Sequence, residues 1–454
     1  AAGAAAAVGS ACRAARARRR RGVAAVTAAT ATAAGQRGGG RAKTQGGEVC
    51  PGCAGRFPSL RRHMKRCCPE QLPERNEEPS EEREAARRDA CGEDQWISQE
   101  EVTVAAVQAV EALEDPLLRQ VLHLRFGLDQ GGRRTPAQVA DALGGKYKGK
   151  PQAALQFIRE ALRSIPLVAD DPKDLQILYE DEDLLGVMKP PFLRSTPVHR
   201  FVGKSLTNQI VGYMQQKASA MSNDESKTES HGSHPPRSAE APSMLHRLDQ
   251  STSGVVLAAK TKRAAAFMQE CWHGPLCQKE YLALSTRKLD AQLRSVGDEL
   301  VVSAPIGRDV ESSDPVRRAV NHEEGQSAAT RFRVLASGTL SDGIDMLLMS
   351  CVLEESGRTH QIRIHASHVG VPLVGDGMYG GLVAADQTAS MAPAGGMVPG
   401  RVALHAWRLR VPHPQTKDEL LIEAPLPDDI RQCLDSCSMI WPSPSGETAT
   451  RRSD

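Results

Sequence analysis

The sequence predicts an α+β fold with a mixed, mostly antiparallel sheet, and three observations support this prediction. From Asp174 onward the chain contains short apolar runs typical of strands, such as 254–259 and 346–353. Segments with helical periodicity alternate with these runs. The length of 454 residues also allows more than one folded unit, because a domain usually has about 100–200 residues.

The composition limits the classes of protein to which the chain can belong. Hydrophobic residues make up 40% of the chain and aromatic residues only 4%. No run approaches the roughly 18 consecutive apolar residues of a membrane span, so we expect no membrane partner. The formal net charge is +2, so an affinity for nucleic acid has to come from local basic clusters. Eleven cysteines scattered between Cys12 and Cys437 indicate a reducing compartment.

Residues 1–47 have the composition of an organelle transit peptide. They contain no Asp or Glu, are dominated by Ala, Gly and Arg, and include four consecutive arginines at 18–21. Such segments are typical of import signals that are later removed, which predicts an organelle, with the chloroplast favoured over the mitochondrion. The alternatives are a disordered RNA-binding arm, a nuclear localisation signal, and a segment that only reflects a GC-rich genome.

Other segments have a polar or low-complexity composition. Residues 70–97 are rich in Glu, Arg and Pro and lack apolar periodicity, which predicts a charged linker. The segments 219–242 and 383–399 interrupt the region 174–430, and we expect them to be surface insertions. Residues 431–454 form a predicted tail.

Two polar segments follow or precede apolar strands and can direct functional side chains into a pocket. The first, 244–254, has charged and hydroxyl-bearing residues directly before a predicted buried strand. The second, 355–365, follows another apolar strand, with Thr359 as the predicted N-cap of a helix that carries Arg363 in its first turn. Between the two segments, Tyr281 opens a strand with an alternating pattern.

These segments resemble the RluA-type family of RNA pseudouridine synthases. Residues 246–254 match the family motif His-Arg-Leu-Asp-x-x-Thr-Ser-Gly in full. Further family marks occur in the right order: Tyr179-Glu180-Asp181, Lys189-Pro190, residues 357–363, Gly375-Asp376, Tyr379-Gly380, His405-Ala406 and residues 423–427. The resemblance covers residues 174–430. It implies the pseudouridine synthase fold and the conversion of uridine in RNA to its C-glycoside isomer.

The resemblance also implies the roles of three catalytic residues. Asp249 would be the carboxylate that acts on the target nucleotide, either by adding to C1′ or by removing a proton from C2′. Arg363 would keep this carboxylate ionised. Tyr281 would lie beneath the loosened uracil, and its hydroxyl would help to remove the C5 proton. No cofactor is required for catalysis, because bonds are only rearranged within one substrate.

Three more residues of these motifs are predicted to bind the RNA. The target base is stacked and has to be extruded, at a cost on the order of a few kcal/mol, and Arg247 is the candidate to fill the vacated space. His246 and Arg358 are the other predicted substrate-binding residues. Thr252 and Ser253 are expected to shape the loop.

Residues 48–69 contain the pattern of a small C2HC zinc finger. The spacing is C-x2-C-x9-H-x3-C, formed by Cys50, Cys53, His63 and Cys67. Three thiolates and an imidazole would complete a tetrahedral structural zinc site. Cys68 is an alternative to the last ligand, and a set of unrelated thiols is the alternative to a metal site. The surrounding basic residues predict contact with RNA or protein.

Residues 98–166 resemble the helix-turn-helix of bacterial-type sigma factor region 4. The match covers 117–128, 134–144 and a last helix at 156–162. A turn rich in Gly and Lys at 145–150 replaces the start of the helix that would read bases. The resemblance therefore implies nonspecific contact with the phosphates of DNA or another nucleic acid. An ordinary helical bundle is the alternative.

Three hypotheses for the function follow. The sequence favours an RNA pseudouridine synthase that acts on organellar rRNA or tRNA. The alternative is a nucleic-acid-binding or transcription-associated protein that carries the synthase domain as a passenger, and a third hypothesis is an RNA chaperone that does not modify RNA. An idle site need not retain Asp249, Tyr281 and Arg363, so their presence favours the enzyme.

Overall fold

The computed structural model describes residues 99–439, apart from 130–131, 225–241, 290, 313, 315, 342, 356 and 384–397, together with the backbone of 48–49, 56–57 and 449–452. Strands β1 (Glu48–Val49) and β2 (Arg56–Phe57) pair antiparallel and belong to one compact unit, and the residues from 99 onward belong to another. The predicted transit peptide, the charged linker and all four predicted zinc ligands (Cys50, Cys53, His63 and Cys67) lie outside the described residues.

The helical module, residues 99–165, consists of four α-helices and one 3-10 turn. These are α1 (Gln99–Glu111), α2 (Pro116–Phe126), α3 (Pro136–Leu143), the 3-10 turn Gly145–Tyr147 and α4 (Pro151–Ser164). Local capping explains where the helices begin. Asp115 accepts hydrogen bonds from the N–H groups of Leu117 and Leu118 at the start of α2, and Thr135 forms a capping box with Gln138 at the start of α3.

The helical module has its own apolar core, which includes Val110, Leu122, Val139 and Ile158. The predicted turn at 145–150 contains the 3-10 turn and leads into α4, the last helix of the module. The resemblance of this module to a DNA-binding helix-turn-helix stays a prediction.

The remaining chain forms a mixed sheet with helices packed on it. The strands of this sheet are β3 (Gln176–Glu180), β4 (Leu184–Lys189), β5 (Ser243–Met244), β6 (Ser253–Ala259), β7 (Gln278–Thr286), β8 (Glu299–Ser303), β11 (Ala329–Thr339), β12 (Asp345–Glu355), β13 (Leu404–Pro412), β14 (Glu419–Glu423) and β15 (Ala449–Arg452). Strands β9 (Ile306–Arg308) and β10 (Arg318–Val320) form a separate antiparallel pair. The helices are α5 (Leu206–Asp224), α6 (Lys262–Cys271), α7 (Gln361–His368) and α8 (Asp428–Ser436).

The strand order is β3-β4-β6-β13-β7-β12-β11-β8, with β5 beside β6, β14 beside β13, and β15 beside β14. Only β6 and β13 pair in parallel among the strand pairs of the described chain. The predicted mixed, mostly antiparallel sheet is therefore confirmed.

Strand β6 is buried along its whole length because both faces of the sheet are covered. Val256 and Ala258 belong to one apolar cluster, whereas Val255 and Leu257 belong to another that also contains Met268 of α6. Successive side chains of a strand point to opposite faces, so a strand covered on both sides needs a continuous apolar run. This requirement explains the largely apolar sequence of β6, the strand that begins shortly after Asp249.

Two predicted boundaries differ from the structure. Helix α5 continues to Asp224, so the first residues of the predicted insertion 219–242 are helical. Helix α8 runs past residue 430, and its Cys433 and Leu434 are buried in the same apolar cluster as Leu284 of β7. The sheet domain thus extends into the segment that we expected to be a tail, because this amphipathic helix covers part of the sheet.

Two absences hold for the described part of the chain. None of the helices there is long and apolar enough to cross a membrane. No group of three or more His, Cys, Asp or Glu side chains there is arranged to hold a metal ion.

The contact between β6 and β13 requires a glycine. Ala406 of β13 pairs with Gly254, which has a φ of 119°. A Cβ atom at Gly254 would lie 2.2 Å from the carbonyl oxygen of Ala406. A side chain there would therefore be strained by the backbone conformation and would also collide with a central strand.

We expect Gly254→Ala to lower the free energy of unfolding by about 3 kcal/mol or more, because strain and collision add. Gly297→Ala is the matched control, since Gly297 also has a positive φ of 93° but open space around its Cβ position. Urea denaturation of both variants measures the difference. Equal destabilisation by the two substitutions would show that the approach of β13 does not require a glycine.

Candidate active site

A pocket opens beside the turn that precedes β6, next to the beginning of α7. Its lining includes five of the six predicted catalytic and substrate-binding residues: Asp249, Tyr281, Arg363, Arg247 and Arg358. The other lining residues are Leu248, Thr252, Leu353, Gly357, His360, Gln361, Ile362 and Leu404. Segments that are far apart in the sequence thus meet at one place.

Asp249 is partly exposed to the pocket, and none of the residues that the structure describes lies within hydrogen-bond distance of its carboxylate. The side chain is 25% exposed. Its Oδ2 lies 3.8 Å from Nε2 of His360 and 3.9 Å from Nη1 of Arg363. Both distances exceed that of a hydrogen bond. The lone pairs of this carboxylate therefore remain available to a substrate.

Arg363 is held by Asp376 rather than by Asp249. Its Nε and Nη2 donate to the two carboxylate oxygens of Asp376 at 2.7 and 2.8 Å, and both side chains are buried. Burial acts to lower the pKa of Arg363, but the bonds to Asp376 outweigh it and raise the pKa above the ordinary value. Arg363 is therefore a fixed positive charge near Asp249. In the sequence Asp376 belongs to the Gly375-Asp376 motif, which does not indicate that it pairs with Arg363.

Helix α7 positions this arginine. The helix begins at Gln361 with His360 as its N-cap, one residue later than the predicted N-cap Thr359. His360 adopts a left-handed conformation, and its side chain accepts no capping hydrogen bond from the backbone of the first turn. Arg363 lies in the first turn, as predicted. The side chain of Gln361 anchors the helix by donating to the carbonyl of Ala329.

Tyr281 lies in the middle of the sheet, where β7 pairs with both β12 and β13. Its side chain belongs to the main apolar cluster and is only 9% exposed. Burial raises the pKa of the Tyr281 hydroxyl, and the negative charge of Asp249 raises it further. The hydroxyl consequently keeps its proton at neutral pH.

Lys189 holds the first part of the turn that follows Asp249. Its side chain is fully buried, and Nζ donates to the carbonyls of Pro190, Leu193 and Gln250 at 2.7 to 3.0 Å. Burial lowers the pKa of Lys189 to about 7, and the charge of Arg401 acts in the same direction. In the sequence Lys189 belongs to the Lys189-Pro190 motif, which does not indicate this role in holding the turn.

Arg401 holds the second part of the turn. Its Nη1 donates to the carbonyl of Ser251 at 3.1 Å and its Nη2 to Oγ of Ser253 at 3.2 Å. Asp429 accepts two hydrogen bonds from the same guanidinium and balances its charge. No sequence motif indicated Arg401, because its contacts join segments about 150 residues apart.

His246 has a different place from the one predicted. Its Nε2 accepts a hydrogen bond of 3.0 Å from the N–H of Leu257, and its ring packs against Trp272 at a centroid distance of 5.0 Å. Burial lowers the pKa of His246 to about 3, so the ring is neutral and can accept this bond. His246 is not among the residues that line the pocket. In the structure it supports β6 rather than facing a substrate.

Comparison with known proteins identifies the class of this chain. Residues 183–368 match the family model of RNA pseudouridylate synthases. The chain is 34% identical to ribosomal large subunit pseudouridine synthase D of Nitrosomonas europaea over 262 residues, which covers 57% of this chain and 64% of that protein. It is 32% identical to the uncharacterized RNA pseudouridine synthase YjbO of Bacillus subtilis, covering 58% of this chain and 77% of that protein.

The solved structure of human RNA pseudouridylate synthase domain containing 1 has 24% identity to the chain and a TM-score of 0.41, covering 59% of this chain and 90% of that one. The assignment to a family rests on the relatives found by sequence rather than on this solved structure. The chain belongs to the RNA pseudouridine synthase family, which confirms the resemblance found in the sequence.

We expect Asp376→Asn to lower the free energy of unfolding by about 3 kcal/mol, because the buried guanidinium of Arg363 loses its counter-charge. Asp345→Asn is the control. Asp345 pairs with Arg287 at the surface, where such a pair contributes less than about 1 kcal/mol. Thermal unfolding of both variants measures the contrast. A loss at Asp376 no larger than at Asp345 would contradict a structural role for the buried pair.

Proposed function

We propose that this chain isomerises uridine to pseudouridine in RNA, with Asp249 as the carboxylate that acts at the ribose. The observation that supports it most is the assembly of Asp249, Tyr281 and Arg363 around one pocket in a member of this family. In the reaction the N1–C1′ bond of uridine breaks and a C5–C1′ bond forms. The proton of C5 leaves, and N1 takes up a proton.

The surroundings of Asp249 suit this chemistry. Breaking the glycosidic bond makes the sugar electron-deficient, so an anionic group beside the ribose stabilises it or adds to it. The positive charge of Arg363 lies 3.9 Å from the carboxylate of Asp249. At this distance Arg363 does not form a hydrogen bond with Asp249, so the carboxylate oxygens can still contact a substrate. Both routes considered for Asp249, addition to C1′ and removal of the C2′ proton, need an anion of this kind.

Tyr281 suits the role of a platform better than that of a base. The raised pKa of its hydroxyl disfavours the phenolate that proton removal from C5 would need. Its ring lies in the wall of the pocket and can support the detached uracil. We therefore assign to Tyr281 the role of an aromatic platform for the uracil rather than the role of a base.

Arg247 and Arg358 suit the binding of RNA at the pocket mouth. Arg247 is exposed, as expected of a side chain that fills the space left by an extruded base. Arg358 is partly buried, and its Nε donates to the carbonyl of Ser327, which holds its charge beside the pocket. Both are available to phosphates or bases of a bound strand.

The RNA and the compartment are further parts of the proposal. We assign the chain to organellar rRNA or tRNA, with the chloroplast favoured, because residues 1–47 have an import-type composition. Exposed Lys146, Lys148 and Lys150 of the helical module suit contact with phosphates. Mapping pseudouridine in cells with and without this protein identifies the RNA. A fluorescent fusion of residues 1–47 that stayed in the cytosol would exclude import.

Tritium release from RNA labelled at uridine C5 tests the activity. We expect wild-type protein to release tritium and Asp249→Ala to reduce the rate at least about a thousand-fold, because the reacting group is removed. Asp435→Asn, an exposed carboxylate on α8, serves as the control and should act like wild type. An Asp249→Ala variant as active as wild type would refute the assignment. Binding without turnover on cellular RNA would favour the chaperone or the passenger hypothesis.

For the proposed zinc finger, we expect one zinc ion per chain. The ion should be lost when Cys50 and Cys53 are both replaced by Ser, because a tetrahedral site cannot form with two ligands missing. Elemental analysis of the purified protein measures the metal content. Wild-type protein free of metal would show that these thiols are unrelated.

A further inference from the structure

His360 has an unusual backbone and a buried side chain that faces the catalytic carboxylate. It has a φ of 58°, in the left-handed region that residues other than glycine rarely adopt. Such a conformation persists where the surroundings impose it, often at functional sites. The side chain is only 9% exposed and lines the same pocket as Asp249. Sequence reasoning gave this residue no role.

The hydrogen bonds of Tyr379 favour one ring nitrogen of His360 as the carrier of the proton. The hydroxyl of Tyr379 accepts a bond of 3.2 Å from the N–H of Arg318. The one proton of this hydroxyl can then be donated to Nδ1 of His360, at 2.9 Å, its only acceptor among the described residues. With Nδ1 as acceptor, the neutral ring has its proton on Nε2. The Nε2–H group of His360 is therefore the hydrogen-bond donor on the side of the ring that faces Asp249.

The charge state of the ring agrees with this geometry. Burial lowers the pKa of His360, and the positive charge of Arg363 lowers it further. Asp249 and Asp376 act in the opposite direction, and Arg318 again lowers the pKa. The net result is a neutral imidazole at neutral pH, which donates through Nε2–H without adding a second cation to the site.

Nε2 lies 3.8 Å from Oδ2 of Asp249, so a small rotation of the carboxylate brings the two atoms into hydrogen-bond distance. Arg363 approaches the same oxygen at 3.9 Å but is fixed by its two bonds to Asp376. His360 is similarly fixed by Tyr379. The carboxylate is thus the movable partner between two fixed donors.

We infer that His360 is a positioning residue whose Nε2–H donates to the Asp249 carboxylate when uridine fills the pocket and so aims it at the ribose. This inference rests on the proposed function. A neutral donor fixes the direction of the carboxylate while reducing its reactivity less than a second cation would. A misplacement on the order of 1 Å at a reacting group can cost about a hundred-fold in rate.

Two substitutions separate positioning from a structural role. The amide nitrogen of Gln, like Nε2 of His, is three bonds from Cβ, whereas that of Asn is only two. Asn tolerates the left-handed backbone better than most residues. We therefore expect His360→Gln to retain kcat within about ten-fold and His360→Asn to lose about a hundred-fold in kcat, with little change in KM and no loss of folding by Asn. If Asn were as active as Gln or more so, His360 would only shape the backbone.

A spectroscopic measurement tests the proton position without turnover. Wild-type protein with 15N-labelled histidine should show the Nε2–H tautomer for His360, identified as the signal that disappears in His360→Gln. The substitution Tyr379→Phe should produce a mixture of tautomers, because Nδ1 loses its donor. A wild-type ring protonated at Nδ1, or at both nitrogens, would overturn the inference.

The two proposals fail in different ways. Wild-type protein without tritium release would refute the proposed function, and the NMR measurement would still decide the hydrogen bonding of His360. Turnover by wild type with equal activity of the Gln and Asn variants would refute only the inference about His360.

Discussion

The position of the Asp249 carboxylate depends on two buried basic side chains that hold the turn after this residue. Nζ of Lys189 donates to the carbonyl of Gln250, and Nη1 of Arg401 donates to the carbonyl of Ser251. A buried polar group requires hydrogen-bond partners, so each of these side chains fixes the carbonyls around it. Strand β6 begins at the end of this turn and runs through the centre of the sheet. Asp249 is therefore positioned by its backbone rather than by contacts of its side chain.

The charged groups around the pocket are bound to residues other than Asp249. Arg363 is bound to Asp376, and His360 is bound to Tyr379. A close ion pair with Asp249 would occupy the carboxylate oxygens that act at the ribose in the proposed function. The guanidinium of Arg363 instead stays 3.9 Å from the nearest carboxylate oxygen of Asp249. The buried pairs thus leave the carboxylate oxygens of Asp249 without a close partner in the described part of the chain.

The sequence predicted the sheet class and most of the charged and aromatic residues that meet at the pocket, because these depend on local patterns. Asp249 stands beside an apolar strand, and Arg363 falls in the first turn of a helix. The sequence did not predict which partners these residues have. Arg401 reaches the turn from a distant segment without any motif, and the side chain of His246 faces Leu257 rather than the pocket. The hydrogen-bond partners of these side chains depend on tertiary packing, which a local sequence pattern does not reveal.

One segment, 194–208, contacts both the helical module and the turn of Asp249. Ser195 exchanges hydrogen bonds with the N–H and carbonyl of Leu248, directly before Asp249. At its other end, Phe201 packs edge-on against Phe126 of α2. A flexible linker would allow a broad range of distances between two modules, whereas packing on a shared segment fixes them. The segment 194–208 therefore holds the helical module at a defined distance from the turn of Asp249.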